Sequence, residues 1–278
     1  MKRTESQSNS FAVSHMSGIR LAAKHSIWFL LALRRSMRGE GPGYCLVGGH
    51  SVPAFLPFRA GVNSLSPILR DLDLVGSDLD RFRCPRCGST DRERHLLAYL
   101  QREQSVQFQG KRVLHFAPES AIRNWIVAHE PLEYIQADLF PSALGILKID
   151  ITEMPFESGY FDVVVANHVL EHVSQDSNAL REISRVLKRG GHAIMQTPFA
   201  TRLPTTLEID CIKSAPSRLA LYGQEDHVRL YGADLVRRIE AHGLSSRMKN
   251  HSDLLADLDP IRHGVNLREP LFLFVKPG

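Results

Sequence analysis

Two patterns of hydrophobic and polar residues alternate along the chain from about residue 95 onward. Continuous apolar runs rich in β-branched residues predict buried strands, and apolar residues at helical spacing predict helices between them. The predicted strands contain KRVLHF, YIQADLF, GILKIDI, YFDVVVANHV, HAIMQTPF and EPLFLFVKP, and the predicted helices contain HLLAYLQRE, SAIRNWIVAH, NALREISRVLKR and LVRRIEAHG. We place the end of the third helix at Gly190 and Gly191, because glycine often terminates a helix.

This alternation predicts an α/β fold with a doubly wound, mostly parallel sheet covered by helices on both faces. We assign the sheet to residues 95–278. Residues 41–94 are rich in turns and short of periodic segments, so we predict a small cysteine-containing module that a metal would help to hold together. Residues 1–40 are predicted to form a disordered tail followed by a basic amphipathic helix.

The apolar run from Ile27 to Leu33 is the one segment that raises the question of a membrane. It is far shorter than the roughly 20 apolar residues that span a bilayer. With its basic flanks, a helix over residues 19–38 suits peripheral contact with an anionic membrane, covering of an acceptor pocket, or docking on its own domain. We expect no signal peptide and a cytoplasmic location, because no small-residue cleavage site follows the run.

Charge is concentrated at the amino-terminal end, where residues 1–112 hold 17 Lys or Arg and 9 Asp or Glu. Together with a cysteine module, this balance raises the alternative of a nucleic-acid binding or modifying protein. The basic residues are scattered among acids such as Asp71 and Asp73, and no aromatic stacking pattern accompanies them. We therefore expect no nucleic-acid partner.

Polar side chains follow the first four predicted strands, at the edge where ligands of such sheets bind. They are His115 to Glu119, then Asp138, then Asp150, then Asn167 with His168. Asp138 lies 21 residues beyond Ala117, an interval at which an acid accepts hydrogen bonds from the ribose of a bound nucleoside. The pattern predicts a nucleoside cofactor.

The segment VLHFAPESA after the first strand contains no glycine. A dinucleotide pyrophosphate needs a tight, glycine-rich turn, and Glu119 would repel it, so a nicotinamide-dependent dehydrogenase is disfavoured. A carboxylate at this place would instead suit a cationic amino group. S-adenosylmethionine has an ammonium and no phosphate, and we expect Asp150 and Ile151 to contact its adenine.

The stretch DITEMPFESGYFDVVVANHVLEHV, followed by NALREISRVLKRGGHAIMQTPF, resembles the central half of class I S-adenosylmethionine-dependent methyltransferases that alkylate small molecules. The resemblance extends from about Arg112 to Phe199 and implies a Rossmann-like fold with a seven-stranded sheet. Its first motif departs from the usual acid and glycines, with His115, Ala117 and Glu119 in their place. HFAPE is similar to a bacterial variant that shares a downstream GQEDHVRLYG and an upstream cysteine module.

The cysteine module is incomplete by comparison with these similar sequences, which carry CxxC twice. Cys84 and Cys87 form CPRC, but Gly48 stands where the partner of Cys45 would be. With His50 as the fourth ligand, the three cysteines would form a Cys3His set for structural zinc. The alternative is that the site has lost its metal and the cysteines are only buried.

The methyl group of S-adenosylmethionine is already activated, so the protein must align a nucleophile and remove its proton if it is a hydroxyl. We predict His227 as the base, oriented by Asp226, with His168 as a further catalytic candidate. Arg229 and Tyr231 are predicted to contact the acceptor or the cofactor carboxylate. The alternatives are structural: His168 in the core and Arg229 paired with Asp226.

The resemblance implies methyl transfer to a small-molecule acceptor, and we expect a hydroxyl of a sugar or another metabolite. No motif identifies this acceptor. The altered first motif leaves a second alternative open, a non-catalytic interaction protein with the same fold. The oligomeric state has no signal in the sequence.

Overall fold

The computed structural model describes residues 41–141 and 143–278, together with Leu30, Leu33 and Met37, which are helical and have exposed side chains. The predicted tail and most of the predicted helix of residues 1–40 lie outside these described residues. Among the described residues, no helix is long and apolar enough to cross a bilayer. Peripheral membrane contact and cytoplasmic location stay predictions.

A seven-stranded sheet forms the centre of the fold, as the resemblance implied. Its strands are β4 (Arg112–Phe116), β5 (Glu133–Asp138), β6 (Ile146–Lys148), β7 (Phe161–Ala166), β8 (Leu187–Ile194), β10 (Ser245–Ser246) and β11 (Leu273–Val275). The spatial order is β10, β11, β8, β7, β4, β5, β6. Strands β4 to β8 pair in parallel, and β11 runs antiparallel to both of its neighbours, β8 and β10. The predicted fold class is therefore confirmed.

Helices cover both faces of this sheet. Along the chain they are α1 (Pro67–Asp71), α2 (Asp91–Arg102), α3 (Ser120–Ala128), α4 (Asp176–Val186), α5 (Ala215–Tyr222), α6 (Leu235–Glu240), α7 (His251–Leu254) and α8 (Pro260–His263), with short 3-10 turns at Gly61–Ser64 and Leu170–His172. The strands β4 and β7 have buried side chains on both faces, which explains their continuous apolar sequences.

The predicted end of the third helix at Gly190 and Gly191 is wrong. Helix α4 ends at Val186, and both glycines belong to strand β8. The register between β7 and β8 shifts here, as in a β-bulge. Gly190 has a φ of +74°, and a Cβ on Gly191 would lie 2.9 Å from the Lys188 carbonyl oxygen. The glycines serve the bulge and not a helix terminus.

The amino-terminal module is joined to the large domain by shared structure. Its hairpin pairs β1 (Gly43–Cys45) with β2 (His50–Val52). A further strand, β3 (Leu74–Val75), pairs with β9 (Phe199–Ala200) of the large domain. The predicted boundary between residues 94 and 95 lies inside helix α2. The module therefore lies against the large domain at the segment that follows β8.

Candidate active site

A cavity of about 750 Å³ lies at the carboxyl ends of β4, β5 and β7, where the sheet predicts a ligand site. Its volume is in the range of small-molecule sites. Of the residues predicted to bind the cofactor, four line it: Ala117, Asp138, Asp150 and Ile151. His168 and Asp226, both predicted as catalytic, line it too, together with His172. Further lining residues are Phe140, Thr152 and Gln175.

Ala117 makes the turn that follows β4 without glycine. Its φ is +46°, in the left-handed region that favours glycine, and its N–H donates to the Ala137 carbonyl at 2.9 Å. The chain thus turns here at a cost in backbone strain, with alanine in a conformation that favours glycine.

Asp138 and Asp150 each use one carboxylate oxygen to hold their own turn. Oδ1 of Asp138 accepts from the Phe140 N–H at 2.8 Å. Oδ1 of Asp150 accepts from the N–H and hydroxyl of Thr152, at 2.8 and 2.7 Å. Neither hydrogen bond uses Oδ2. That second oxygen of each aspartate is the ligand-binding group in the predicted ribose and adenine contacts.

His115 and Glu119 bind each other behind the cavity. Nε2 of His115 lies 3.0 Å from Oε2 of Glu119, and its Nδ1 lies 2.9 Å from the Tyr134 hydroxyl. Burial opposes ionisation of Glu119, but the hydrogen bond and charge of His115 lower its pKa overall. Neither residue is among those that line the cavity. The geometry directs Glu119 to His115 and lends no support to its predicted contact with the cofactor ammonium.

Asn167 is also directed into the protein. It is 2% exposed, and its Oδ1 accepts from the Gln196 N–H at 3.1 Å. It links the end of β7 to the end of β8 and does not line the cavity. A direct cofactor contact by Asn167 therefore stays a prediction that this geometry does not support.

A second, smaller cavity of about 160 Å³ lies between the amino-terminal module and the segment after β8. Most of its wall is apolar, with Phe58, Leu65, Leu69, Leu74, Leu79, Phe82 and Leu219. His227 lines this cavity, and His168 lines both cavities. His168 therefore lies between the two cavities.

Glu171 was missed by the sequence reasoning, although it lies inside the quoted LEHV motif. It is 1% exposed, and its Oε2 accepts from the Thr197 hydroxyl at 2.9 Å. Burial opposes ionisation, but contact with His168 and the charges of the neighbouring histidines lower the pKa of Glu171 to about 2. Its signal was the spacing of three residues from His168. We call Glu171, His168, His172 and His227 the histidine–glutamate cluster.

His227 presents a lone pair within this cluster. The ring is 2% exposed, and Nδ1 donates to the Tyr222 carbonyl at 3.0 Å. Because a carbonyl only accepts, the proton of the neutral ring lies on Nδ1, and Nε2 is free. Burial lowers the pKa of His227 and favours this neutral form. The predicted partner Asp226 lies 3.2 Å from Nδ1 of His172, so Asp226 pairs with His172 in place of His227.

The side chains of Arg229 and Tyr231 are buried and line neither cavity. Arg229 donates to the carbonyls of residues 170, 173 and 174 and to Glu208. The Tyr231 hydroxyl donates to Asp176 at 2.8 Å. The structure thus corrects their predicted place at the acceptor: they tie the segment that carries His227 to the loop that carries Glu171.

The predicted zinc ligands Cys45, His50, Cys84 and Cys87 come together, with their ligand atoms within 4.8 Å of one another. Sγ of Cys45 lies 3.6 Å from Sγ of Cys87, and Nε2 of His50 lies 3.4 Å from Sγ of Cys84. Tetrahedral zinc with bonds of about 2.3 Å to sulfur separates its ligands by roughly 3.8 Å. The donor set and its spacing fit such an ion.

The central part of the chain is similar to known proteins. Residues 123–195, from α3 to the end of β8, match a family described as a methyltransferase domain. This confirms the resemblance over the segment that carried it. A demethylmenaquinone methyltransferase of Mycolicibacterium gilvum is 30% identical over 109 residues, which cover 34% of this chain and 48% of that protein. The chain thus spans about half the length of the curated relatives that it matches.

Solved structures with a similar fold include an S-adenosylmethionine-dependent methyltransferase from Mesorhizobium loti. It is 16% identical, with 61% of this chain and 91% of that chain covered and a TM-score of 0.43. The N-methyltransferase NodS from Bradyrhizobium japonicum, in complex with S-adenosyl-L-homocysteine, is 17% identical. There 67% of this chain and 87% of that chain are covered, with a TM-score of 0.42.

Proposed function

We propose that the chain transfers a methyl group from S-adenosylmethionine to a small-molecule acceptor, because residues 123–195 match a family described as a methyltransferase domain. The observation that carries this proposal is that His168 lines two neighbouring cavities. The larger one has carboxylates at the carboxyl ends of parallel strands, and the smaller one is mostly apolar. A cofactor and an acceptor in these cavities would lie side by side.

S-adenosylmethionine carries its methyl group on a sulfonium. As the acceptor forms a bond to the methyl carbon, the carbon–sulfur bond breaks and its electron pair stays on sulfur. The protein has to hold the two molecules in line and provide a way out for the proton of a hydroxyl acceptor. On the cofactor side, Asp138 is proposed to accept from the ribose. Asp150 is proposed to accept from the adenine amine, while Ile151 packs on the ring.

The acceptor is proposed to have an apolar body. Most of the wall of the smaller cavity is apolar, so an apolar body can be buried there, while Arg59, Arg92 and Gln224 offer polar partners at only a few positions. The lining therefore favours an apolar or aromatic molecule with a nucleophilic oxygen over the sugar predicted from the sequence. The matched Mycolicibacterium proteins are named for demethylmenaquinone, which is in line with an apolar acceptor.

The histidine–glutamate cluster is proposed as the place where the acceptor loses its proton. His168 lines both cavities, and His227 presents its free Nε2 from the acceptor side. Glu171 lies 3.3 Å from Nδ1 of His168, so a negative charge stabilises the positive charge that develops there. A hydroxyl in the smaller cavity would meet this cluster next to the cofactor methyl.

Structural zinc is proposed for the amino-terminal module. The Cys3His set would be a closed four-ligand site, which is typical of structural and not catalytic zinc. Strands β1 and β2 and the CPRC turn supply the ligands. Since the module also forms a wall of the smaller cavity through Phe58 and Phe82, zinc would help to shape the acceptor site.

The proposed function is tested by calorimetric titration of the purified protein with S-adenosylmethionine, S-adenosylhomocysteine and NAD. We expect micromolar binding of the two sulfur compounds, equivalent to about 8 kcal/mol, and none of NAD. Absence of binding would favour the non-catalytic interaction protein. Affinity for RNA or DNA that falls steeply with salt would favour the nucleic-acid alternative.

A further inference from the structure

Three members of the histidine–glutamate cluster come close enough to share one ion. Glu171, His172 and His227 each offer one ligand atom, and these atoms all lie within 4.8 Å of one another. They come from distant parts of the chain, the Leu170–His172 turn and the segment that follows α5. The main-chain hydrogen bond from the Val228 N–H to the Glu171 carbonyl, at 2.9 Å, holds these segments together.

Two of the three side chains are already oriented by a bond on their far atom. Oε2 of Glu171 accepts from Thr197 at 2.9 Å, which leaves Oε1 to face the cluster. Nδ1 of His227 donates to the Tyr222 carbonyl at 3.0 Å, which leaves Nε2 to face it. Metal ligands in proteins are typically held in this way by a second bond on the atom that does not coordinate.

Within the described part of the chain, Nε2 of His227 has no hydrogen-bond partner, and Oε1 of Glu171 has only the ion-pair contact with Nδ1 of His168, at 3.3 Å. Oε1 of Glu171 and Nε2 of His227 are both buried, on residues that are 1% and 2% exposed. A buried acceptor without a partner destabilises the fold. Both atoms carry lone pairs, which a hydrogen-bond donor or a cation can satisfy.

We propose that Glu171, His172 and His227 bind a divalent transition-metal cation, which in turn binds the acceptor oxygen. Two imidazoles and one carboxylate suit ions such as Mn²⁺, Fe²⁺ or Zn²⁺ and leave coordination positions open. His172 lines the larger cavity and His227 the smaller one. The ion would therefore lie where the cofactor methyl and the acceptor meet.

The role of the ion rests on the proposed methyl transfer, although the binding of the ion does not. A hydroxyl on a divalent cation is far more acidic than the free group. Its proton would pass to solvent, the oxygen would form its bond to the methyl carbon, and the electron pair of the broken carbon–sulfur bond would stay on sulfur. His227 would then assist proton loss as a ligand of the ion and not as the base itself. An oxygen acceptor follows, because a thioether or an aliphatic carbon gains nothing from such an ion.

The test starts from zinc-loaded protein that has been dialysed against a chelator until only the zinc of the Cys3His site remains. This protein is titrated with Mn²⁺, and the electron paramagnetic resonance signal of free Mn²⁺ reports binding. Mn²⁺ is chosen because thiolates bind it weakly, so it should not displace zinc from the Cys3His site. We expect one bound ion per chain, with affinity at least tenfold weaker in Glu171→Gln, His172→Gln and His227→Gln. His172 is the safest of these for folding, since its side chain is 32% exposed.

His242→Gln is the matched control. Its Nδ1 lies 2.9 Å from a main-chain carbonyl, that of Arg238, as Nδ1 of His227 does from Tyr222, but it lies outside the cluster. Its Mn²⁺ affinity should equal that of the wild type. Failure of the zinc-loaded protein to bind either Mn²⁺ or Co²⁺ would overturn the inference, and so would unchanged affinity in His172→Gln and His227→Gln.

Calorimetry with S-adenosylhomocysteine on the same samples separates this inference from the proposed function. Binding of S-adenosylhomocysteine without Mn²⁺ binding would remove the ion and leave the methyltransferase proposal intact. Mn²⁺ binding that depends on the cluster, without binding of S-adenosylhomocysteine, would establish the ion and remove the methyltransferase proposal.

Discussion

The His50 ring fills the space that a side chain at position 48 would need, because a Cβ on Gly48 would overlap Cε1 of that ring. Nδ1 of His50 donates to the Gly48 carbonyl at 2.8 Å, which turns Nε2 towards Cys84. The missing cysteine of the first pair is thus replaced in space by a histidine two residues later. A cysteine at position 48 and the present His50 ring compete for one volume.

Zinc content should follow this competition. We expect the wild type to retain about one zinc per chain after dialysis, and His50→Ala to lose it. Gly48→Cys should also bind zinc more weakly, since the new Cβ displaces His50. The double variant Gly48→Cys with His50→Ala should recover zinc through four cysteines. Atomic absorption provides the measurement, and a wild type without zinc after growth in zinc-supplemented medium would refute the assignment.

Ala117→Gly should stabilise the protein. The left-handed φ of +46° costs alanine about 1–2 kcal/mol, and glycine loses about 0.5–1 kcal/mol of this gain to its greater freedom in the unfolded chain. The net increase in unfolding free energy should be about 0.5–1 kcal/mol, measured by urea denaturation. Affinity for S-adenosylhomocysteine should stay within twofold, and a large loss would show that the methyl group itself contacts the cofactor.

Asp138→Ala should weaken binding of S-adenosylhomocysteine. A hydrogen bond to a charged group is worth about 1.5–3 kcal/mol, so the dissociation constant should rise at least about tenfold. Asp138→Asn keeps an oxygen that accepts from the Phe140 N–H. Its affinity therefore shows how much of the loss comes from the charge and how much from the turn. Asp210→Ala, at an exposed site outside the cavity, is the control. Equal affinity in Asp138→Ala and the control would exclude the ribose contact.

Asp91 should make the protein less stable as the pH rises. Burial, with the negative charge of Glu269, raises the pKa of Asp91 to about 8. The folded state therefore binds more protons than the unfolded chain between about pH 4 and 8, and the free energy of unfolding falls over this range. Asp91→Asn should be more stable than the wild type at pH 8.

The size of this effect is measured as the difference in unfolding free energy between Asp91→Asn and the wild type at two pH values. We expect the difference to grow by at least about 1.4 kcal/mol between pH 5 and pH 8, the equivalent of one pKa unit. Taking the difference removes the titration of other groups, including His227, whose lowered pKa has the opposite effect. A constant difference would show that Asp91 is ionised throughout.

Arg229→Lys should destabilise the fold without touching the cavities. Lysine cannot reproduce the planar set of donors that Arg229 directs at three carbonyls and Glu208. Thermal or urea unfolding should show a loss of about 2 kcal/mol, with binding of S-adenosylhomocysteine within twofold. Lost cofactor affinity at unchanged stability would restore the contact predicted from the sequence.

The order of strands and helices could be predicted because periodic patterns report burial directly. The end of α4 could not be predicted, because a pair of glycines after a helix can either end that helix or form a β-bulge in the next strand. Gly190 and Gly191 form a bulge only because β8 pairs with β7 and β11 there. Strand β10 escaped prediction for a similar reason: its two serines have no apolar pattern, and only pairing with β11 makes them a strand.

The α/β fold, the carboxylates at the strand ends and the four residues of the cysteine module could all be predicted, because each follows from periodicity or local spacing. Which polar residues face a cavity could not, because this depends on how the chain packs in three dimensions. In the folded protein Glu119 contacts His115, and the buried Arg229 donates hydrogen bonds to main-chain carbonyls. Glu171 and His227 lie close together there. The direction of a side chain depends on partners far along the chain, and hydrogen bonds to those partners set it.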